Sequence, residues 1–308
     1  TRQACKPGDV MLILNDTTDI DHSSHRTTEG LRPIGNGFGR GFYLHSALMV
    51  RARTRRIVGM AGQEVLHRKP RKGKAHSRKI RNSEDRESAV WGRVFDRVGS
   101  PPPDVEWVHI CDRGADDFEV MNRALYHGCS FVIRAARLHR KVQSSDGRSL
   151  SLNELLGELP PCGTRAIQVA ANKKNQARTA IVELRYGEVL VPRPKEDTPW
   201  LREHGSQEPL RLQVVELREM SPPKGQKAIR WVLYTDRPVN SVDDANCIIE
   251  YYEQRPTVEE YHKGIKTGCS VERRQYRTVE ALERVTGLLS ICAVRLLQMK
   301  TAAKETPD

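Results

Sequence analysis

Apolar positions along this chain follow two rhythms. "VMLILNDTTDI" (10–20) is a short unbroken apolar run that stops at an acid, which predicts a buried strand. "GFYLHSALMVRA" (41–52) and "RIVGMAGQEVLHR" (56–68) read as two more strands, closely linked and antiparallel. Over 84–98 the rhythm turns helical, with Ala89, Val90, Val94 and Phe95 on one side. "PPPD" (101–104) ends that helix and leads into "VEWVHICDRGAD" (105–116), another strand running into acids. Asp116 or Asp117 is placed to cap a helix that Gly128 stops, and "CSFVIRAAR" (129–137) follows as a fifth strand.

The pattern changes at residue 138. Strand-like runs at 165–171, 178–192, 210–218 and 228–235 are separated by Pro/Gly/Lys-rich turns, which predicts an all-β insertion over 138–240. Helical periodicity returns at 241–254, 257–267 and 277–300. The expected fold is α/β: a mixed sheet flanked by helices, begun by 1–137, interrupted by 138–240 and completed by 241–308.

"YYEQRPTVEEYHKGIKTG" (251–268) is the least ordinary stretch. At about 100° per residue, Tyr252, Arg255, Glu259, Lys263 and Lys266 share an arc of roughly 80°, with Val258, Tyr261 and Ile265 opposite. A solvated face with pairs such as Glu259–Lys263 explains this, and so does a site. Pro256 suits the first turn of a new helix, and Gly268 its end.

Composition tilts the choice. The 308 residues carry 51 Lys plus Arg against 39 Asp plus Glu, a net charge of +12. That favours a polyanionic partner, nucleic acid above all, over a small neutral substrate. Seven scattered cysteines without a CxxC point away from zinc ribbons and disulfide frameworks, and towards a reducing cytoplasm. No apolar run approaches the roughly 20 residues of a membrane span, so no membrane partner is expected. The chain opens on Thr1 without a signal peptide, as a fragment or a processed product would.

Two acids, Asp16 and Asp112, follow apolar strands, where sites of α/β sheets collect. With Glu259 they make three carboxylates that one fold could gather. Oxygen ligands of this kind suit Mg²⁺, and two such ions support phosphoryl transfer.

Three stretches then carry a resemblance. "NDTTDID" (15–21), "CDRGADDFEVM" (111–121) and "YEQRPTVEEYHKGIKTGCSVERRQ" (252–275) with "ALERVTGLLSICAVRLLQ" (281–298) resemble the motifs of DDE transposases. Within these the chain is most similar to the bacterial insertion-sequence-four group, the Tn-five type with its Tyr-Arg-Glu-Lys signature. The resemblance implies an RNase H-like catalytic core with the β-rich insertion between the fifth strand and the helix of the catalytic Glu. It implies Asp16, Asp112 and Glu259 as ligands of two Mg²⁺ ions, with Mn²⁺ as substitute. Tyr252, Arg255, Lys263, Lys266 and Arg134 would grip phosphates, and Trp231 would either hold an unstacked base or pack in the core. The partners implied are double-stranded DNA, as transposon ends and target, and a second copy in a homodimer. The setting would be a bacterial cytoplasm, at the nucleoid. Gly114 departs from the acid often found in the second motif, and the flanking DNA-end-binding and dimerisation parts are expected to be missing.

Other segments are read more plainly. "RPIGNGFGRGF" (32–42) lacks GK[ST] and is expected to be a flexible loop near DNA, with Arg40 available to a phosphate. "HRKPRKGKAHSRKIR" (67–81) is expected to be a basic loop on the DNA backbone. His45 is expected to be a satisfied structural histidine, and His22 and His25 to belong to turns. A DNA-binding remnant without catalysis, and a nuclease using Glu260 and Lys263, are the competing functions.

Overall fold

Three central strands carry short apolar runs, 10–14, 107–108 with 110–111, and 131–133, because both their faces are covered there. They are β1 (Val10–Asp21), β5 (Glu106–Cys111) and β6 (Ser130–Arg134), running parallel side by side. Alternate residues supply two cores. Met11, Ile13, Trp107 and Phe131 pack under α1 (Val90–Val98) and α2 (Phe118–Tyr126). Leu12, Leu14, Val108 and Val132 pack under α5 (Val242–Glu253), α6 (Pro256–Lys263) and α7 (Val279–Glu305). The computed structural model describes residues 1–68, 86–169 and 176–305. Most of the basic segment 67–81 therefore lies outside the described residues.

Among the described residues the protein is a mixed α/β structure around one twelve-stranded sheet. Antiparallel β3 (Gly39–Arg51) flanks β1, and β2 (Arg32–Ile34) and β4 (Ile57–Leu66) pair with β3. On the other side β12 (Arg230–Thr235) pairs antiparallel with β6, followed by β11 (Leu210–Glu219) and β10 (Arg178–Val191). β7 (Lys141–Gln143), β8 (Ser149–Ser151) and β9 (Gly163–Val169) complete that edge. The strands of 163–235 thus extend the central sheet.

Three expectations need correction. Residues 138–240 are not all β: α3 (Leu152–Glu158) and α4 (Pro199–His204) interrupt them. Both carry start signals, a Ser151/Glu154 capping box and Thr198 capping a helix with proline at its first turn. The segment 32–42 is a tight hairpin between β2 and β3, its turn bent by Gly35 (φ 56°) and Gly37 (φ 100°). Finally, Val279–Ala303 is long and apolar enough by composition to cross a membrane. Its inner face, with Leu282, Ala293 and Leu297, packs on the second core.

Three buried histidines, His22, His45 and His109, add a pH dependence, burial lowering the pKa of His45 to about 3. His109 stacks on Phe95 with centroids 3.8 Å apart, and its Nδ1 meets the Asn15 amide at 3.2 Å. An amide donor facing Nδ1 favours the neutral ring. Burial lowers its pKa to about 3, and lowers that of His22 to about 4. Unfolded histidines titrate near ~6.5, so below that pH the unfolded chain binds protons that the native rings refuse, and stability falls as the pH falls. The urea midpoint is expected to drop between pH 7 and pH 4.5, and less steeply in His109→Gln. Parallel curves for the variant and the parent would contradict this.

Candidate active site

The pairing of β1 with β5 runs from Val10 opposite Glu106 to Leu14 opposite Ile110 and stops. Asp16 and Asp112 both lie just past that point and open from one gap. Asp16 is not at a strand end, as its sequence suggested. The Thr-rich stretch after it stays extended against β3 as far as Asp21 opposite Gly41. Sharing parity with Leu12 and Leu14, Asp16 faces the α5–α6 side. Asp112 caps the turn Arg113–Ala115, its Oδ1 accepting the Gly114 N–H at 2.7 Å, which leaves Oδ2 turned outward.

The third acid arrives on α6. The chain from α5 to α6 turns tightly: the N–H groups of Gln254, Arg255, Thr257 and Val258 bond carbonyls three residues back. Pro256, without an N–H, sits at the first turn of α6. This turn aims Arg255 into the gap. Its Nη2 lies 2.9 Å from Asp16 Oδ1 and 3.3 Å from Asp112 Oδ2, while Nη1 donates to Glu259 Oε1. One guanidinium therefore touches all three acids singled out from the sequence. The two aspartate oxygens share one nitrogen, so they lie within roughly 6 Å of each other.

Burial alone would raise the Asp16 carboxyl; the neighbouring His262 imidazole and the Arg255 charge outweigh it and hold the carboxyl below its usual value. His262 Nδ1 is 3.6 Å from Asp16 Oδ2. Sequence reasoning missed this histidine, although it lies seven residues after Arg255 and so on the same helical face. Glu260 points elsewhere and pairs with Lys300 of α7 at 2.6 Å.

The remaining candidates divide. Tyr252 is only 5% exposed, packed in the second core with the half-buried Trp231 edge-on at 5.1 Å, and meets the surface only where it lines a cleft. Arg134 ends β6, donates to the Arg230 carbonyl at 2.9 Å and lies 5.9 Å over the Trp231 ring. Arg134, Arg165, Trp231, Tyr252 and Pro256 line a cleft of about 660 Å³ that reaches Arg255. Lys263 is exposed and makes no ion pair among the described residues. Lys266 is tied to Asp19 at 2.8 Å and Glu272 at 3.5 Å. Arg40 belongs to the far end of the β1–β3 pair and donates to the Thr28 carbonyl at 3.3 Å; it does not join the cluster. His45 is only half satisfied: its Nδ1 meets Thr17 Oγ1 at 2.7 Å, but buried Nε2 has no partner among the described residues.

Gly114 also has its reason here. A Cβ at this position would lie 2.9 Å from the Trp91 ring and 3.0 Å from Asp112 Oδ1. An acid could enter only by moving Trp91 or the Asp112 carboxylate.

Among the described residues no three Asp, Glu, His or Cys side chains already stand at the spacing of a metal site. The donor chemistry nonetheless suits a hard dication: three carboxylates, one held ionised, and no sulfur. No protein-family model matches the chain.

Removing the guanidinium should expose what it does. Arg255→Ala leaves Asp16, 14% exposed, beside two other acids without their counter-charge. The expected loss is about 3 kcal/mol in urea denaturation at neutral pH. In an Asp16→Asn background the loss should be clearly smaller. Equal losses in both backgrounds would mean that Arg255 acts by packing alone.

Proposed function

We propose that this chain is the catalytic part of a metal-dependent DNA transposase with an RNase H-like core. The observation that carries the reading is the meeting of Asp16, Asp112 and Glu259, from three distant parts of the chain, around one arginine. The order β4-β3-β1-β5-β6, antiparallel then parallel, supports the RNase H-like assignment, with the acids at the β1–β5 junction. The net charge of +12 supports a DNA partner.

On this reading Asp16, Asp112 and Glu259 hold Mg²⁺, two ions, or Mn²⁺ in its place. Bound there, the metal supplies activation of the attacking oxygen and stabilisation of the leaving one. The side chains do the rest. Asp16 stays ionised because His262 and Arg255 offset its burial. Arg255 also lines the cleft of Arg134 and Tyr252, but both its terminal nitrogens are held by the three acids, so its fork would meet a phosphate only after releasing one of them. Lys263, exposed one turn beyond Glu259, offers a point charge on the same rim. Lys266 would first have to leave Asp19 and Glu272, so its part is secondary. Cleavage at transposon ends and strand transfer by a homodimer, in a bacterial cytoplasm, belong to the same proposal. A DNA-binding remnant without catalysis is the competing reading, favoured by the neutralisation of the acids by Arg255.

Nicking of supercoiled plasmid with Mg²⁺ or Mn²⁺ separates the two. The parent chain should nick only with metal. Asp112→Asn and Glu259→Gln should each lose at least ~100-fold, the size of a lost contribution of several kcal/mol. Glu260→Gln should stay near the parent. Retained nicking in either of the first two variants removes the assignment, and loss only in Glu260→Gln favours the Glu260/Lys263 alternative.

A further inference from the structure

We propose that a second cleft, continuous with the candidate site, holds the phosphodiester backbone of the nucleic-acid strand leading away from the acids. The proposal rests on the DNA-cleaving reading above. This cleft, about 580 Å³, is lined by Arg113, Arg134, Lys227 and Arg230 over an apolar floor that includes Ala135 and Ile229. No carboxylate lines it among the described residues.

Three of its four cations have no carboxylate partner among the described residues. Arg230 is committed, to Glu216 at 2.6 Å and to Asn153 at 2.9 Å. Arg113 and Lys227 are exposed, and neither side chain has an ion-pair partner among the described residues. Arg134 contacts a carbonyl and an aromatic ring but no carboxylate among the described residues. Arg185 and Arg211 are neutralised instead, by Glu183 at 2.8 Å and Glu188 at 2.8 Å. Like charges crowded without counter-ions repel one another, and a polyanion relieves that repulsion.

Position links this cleft to the acids. Arg113 follows Asp112 directly, and Arg134, Ile229 and Trp231 line both this cleft and the one reaching Arg255. A strand crossing Asp112 therefore meets a run of cations on leaving it. The apolar floor and the Trp231 edge suit sugar and base surfaces, which a free phosphate ion would leave bare.

The test is fluorescence anisotropy of the 308-residue chain with a labelled duplex carrying a 3′ single-stranded overhang, titrated with salt. Arg113→Gln/Lys227→Gln should weaken binding about tenfold at 0.1 M salt. The slope of log K against log salt should fall by about 0.7–0.9 for each charge removed. Lys6→Gln, an exposed change before β1 and away from the acids, should move neither quantity. Both sites of the double variant are exposed, and an unchanged melting curve will show that it folds. If the parent binds and nicks DNA while the double variant keeps the parent slope, the cleft proposal is overturned and the transposase reading stands. If the parent chain binds no DNA, both fall together.

Discussion

Carboxylates gathered in a half-buried gap repel one another and lose hydration, so such a cluster persists only around a positive charge. Arg255 supplies that charge here. Its fork spends one nitrogen on two aspartates from neighbouring parallel strands and another on a glutamate of its own helix. A lysine could not do this, since a single ammonium lacks the spread of a planar guanidinium. The contact also ties the last turn of sheet pairing to the α5–α6 connection, so fold and site depend on the same few atoms.

Placing that guanidinium requires a departure from regular helix. Between Tyr251 and Val258 the backbone bonds three residues back, and Pro256 removes one donor. After Lys263 the chain loosens the other way, into a π-helical turn over Gly264–Gly268. A wheel drawn at a uniform 100° per residue runs through both irregularities. Hence it puts Tyr252 on the polar arc although the side chain is buried, and Lys266 beside Arg255 although it reaches Asp19. Between the irregularities the wheel holds: Glu259 faces the gap, and Val258 and Tyr261 are fully buried opposite it.

Much of the frame was legible for a simple reason. Strands are apolar where both their faces are covered, so 10–14, 107–108 with 110–111, and 131–133 announce themselves. The helix starting at Phe118 was readable from its Asp117 cap and from Gly128, which takes φ 65°. The two aspartates were legible as acids following apolar runs and Glu259 as part of a helical face, and all three touch Arg255. What stayed hidden were relations between distant side chains. His262 looked like one more polar residue until Asp16 was seen beside it, and Gly114 looked like a lost acid until Trp91 filled its space. The α3 and α4 caps were readable, but the surrounding strand signals drew attention away from them.

The charge balance of the site argues in the same direction as its geometry. A polyanion approaching three bare carboxylates would be repelled, which is a cost for any protein that works on DNA. Arg255 cancels part of that charge from within, while Lys263, one turn after Glu259, and Arg134, which shares a cleft with Arg255, have no carboxylate partner among the described residues. On the proposed reading the centre would hold a dication and the cations beside it would meet phosphates. Excess Lys and Arg spread evenly over the surface would raise affinity for nucleic acid but would not aim it. On that reading the acids would gain a direction of approach from residues of β6 and α6, the same elements that frame the gap.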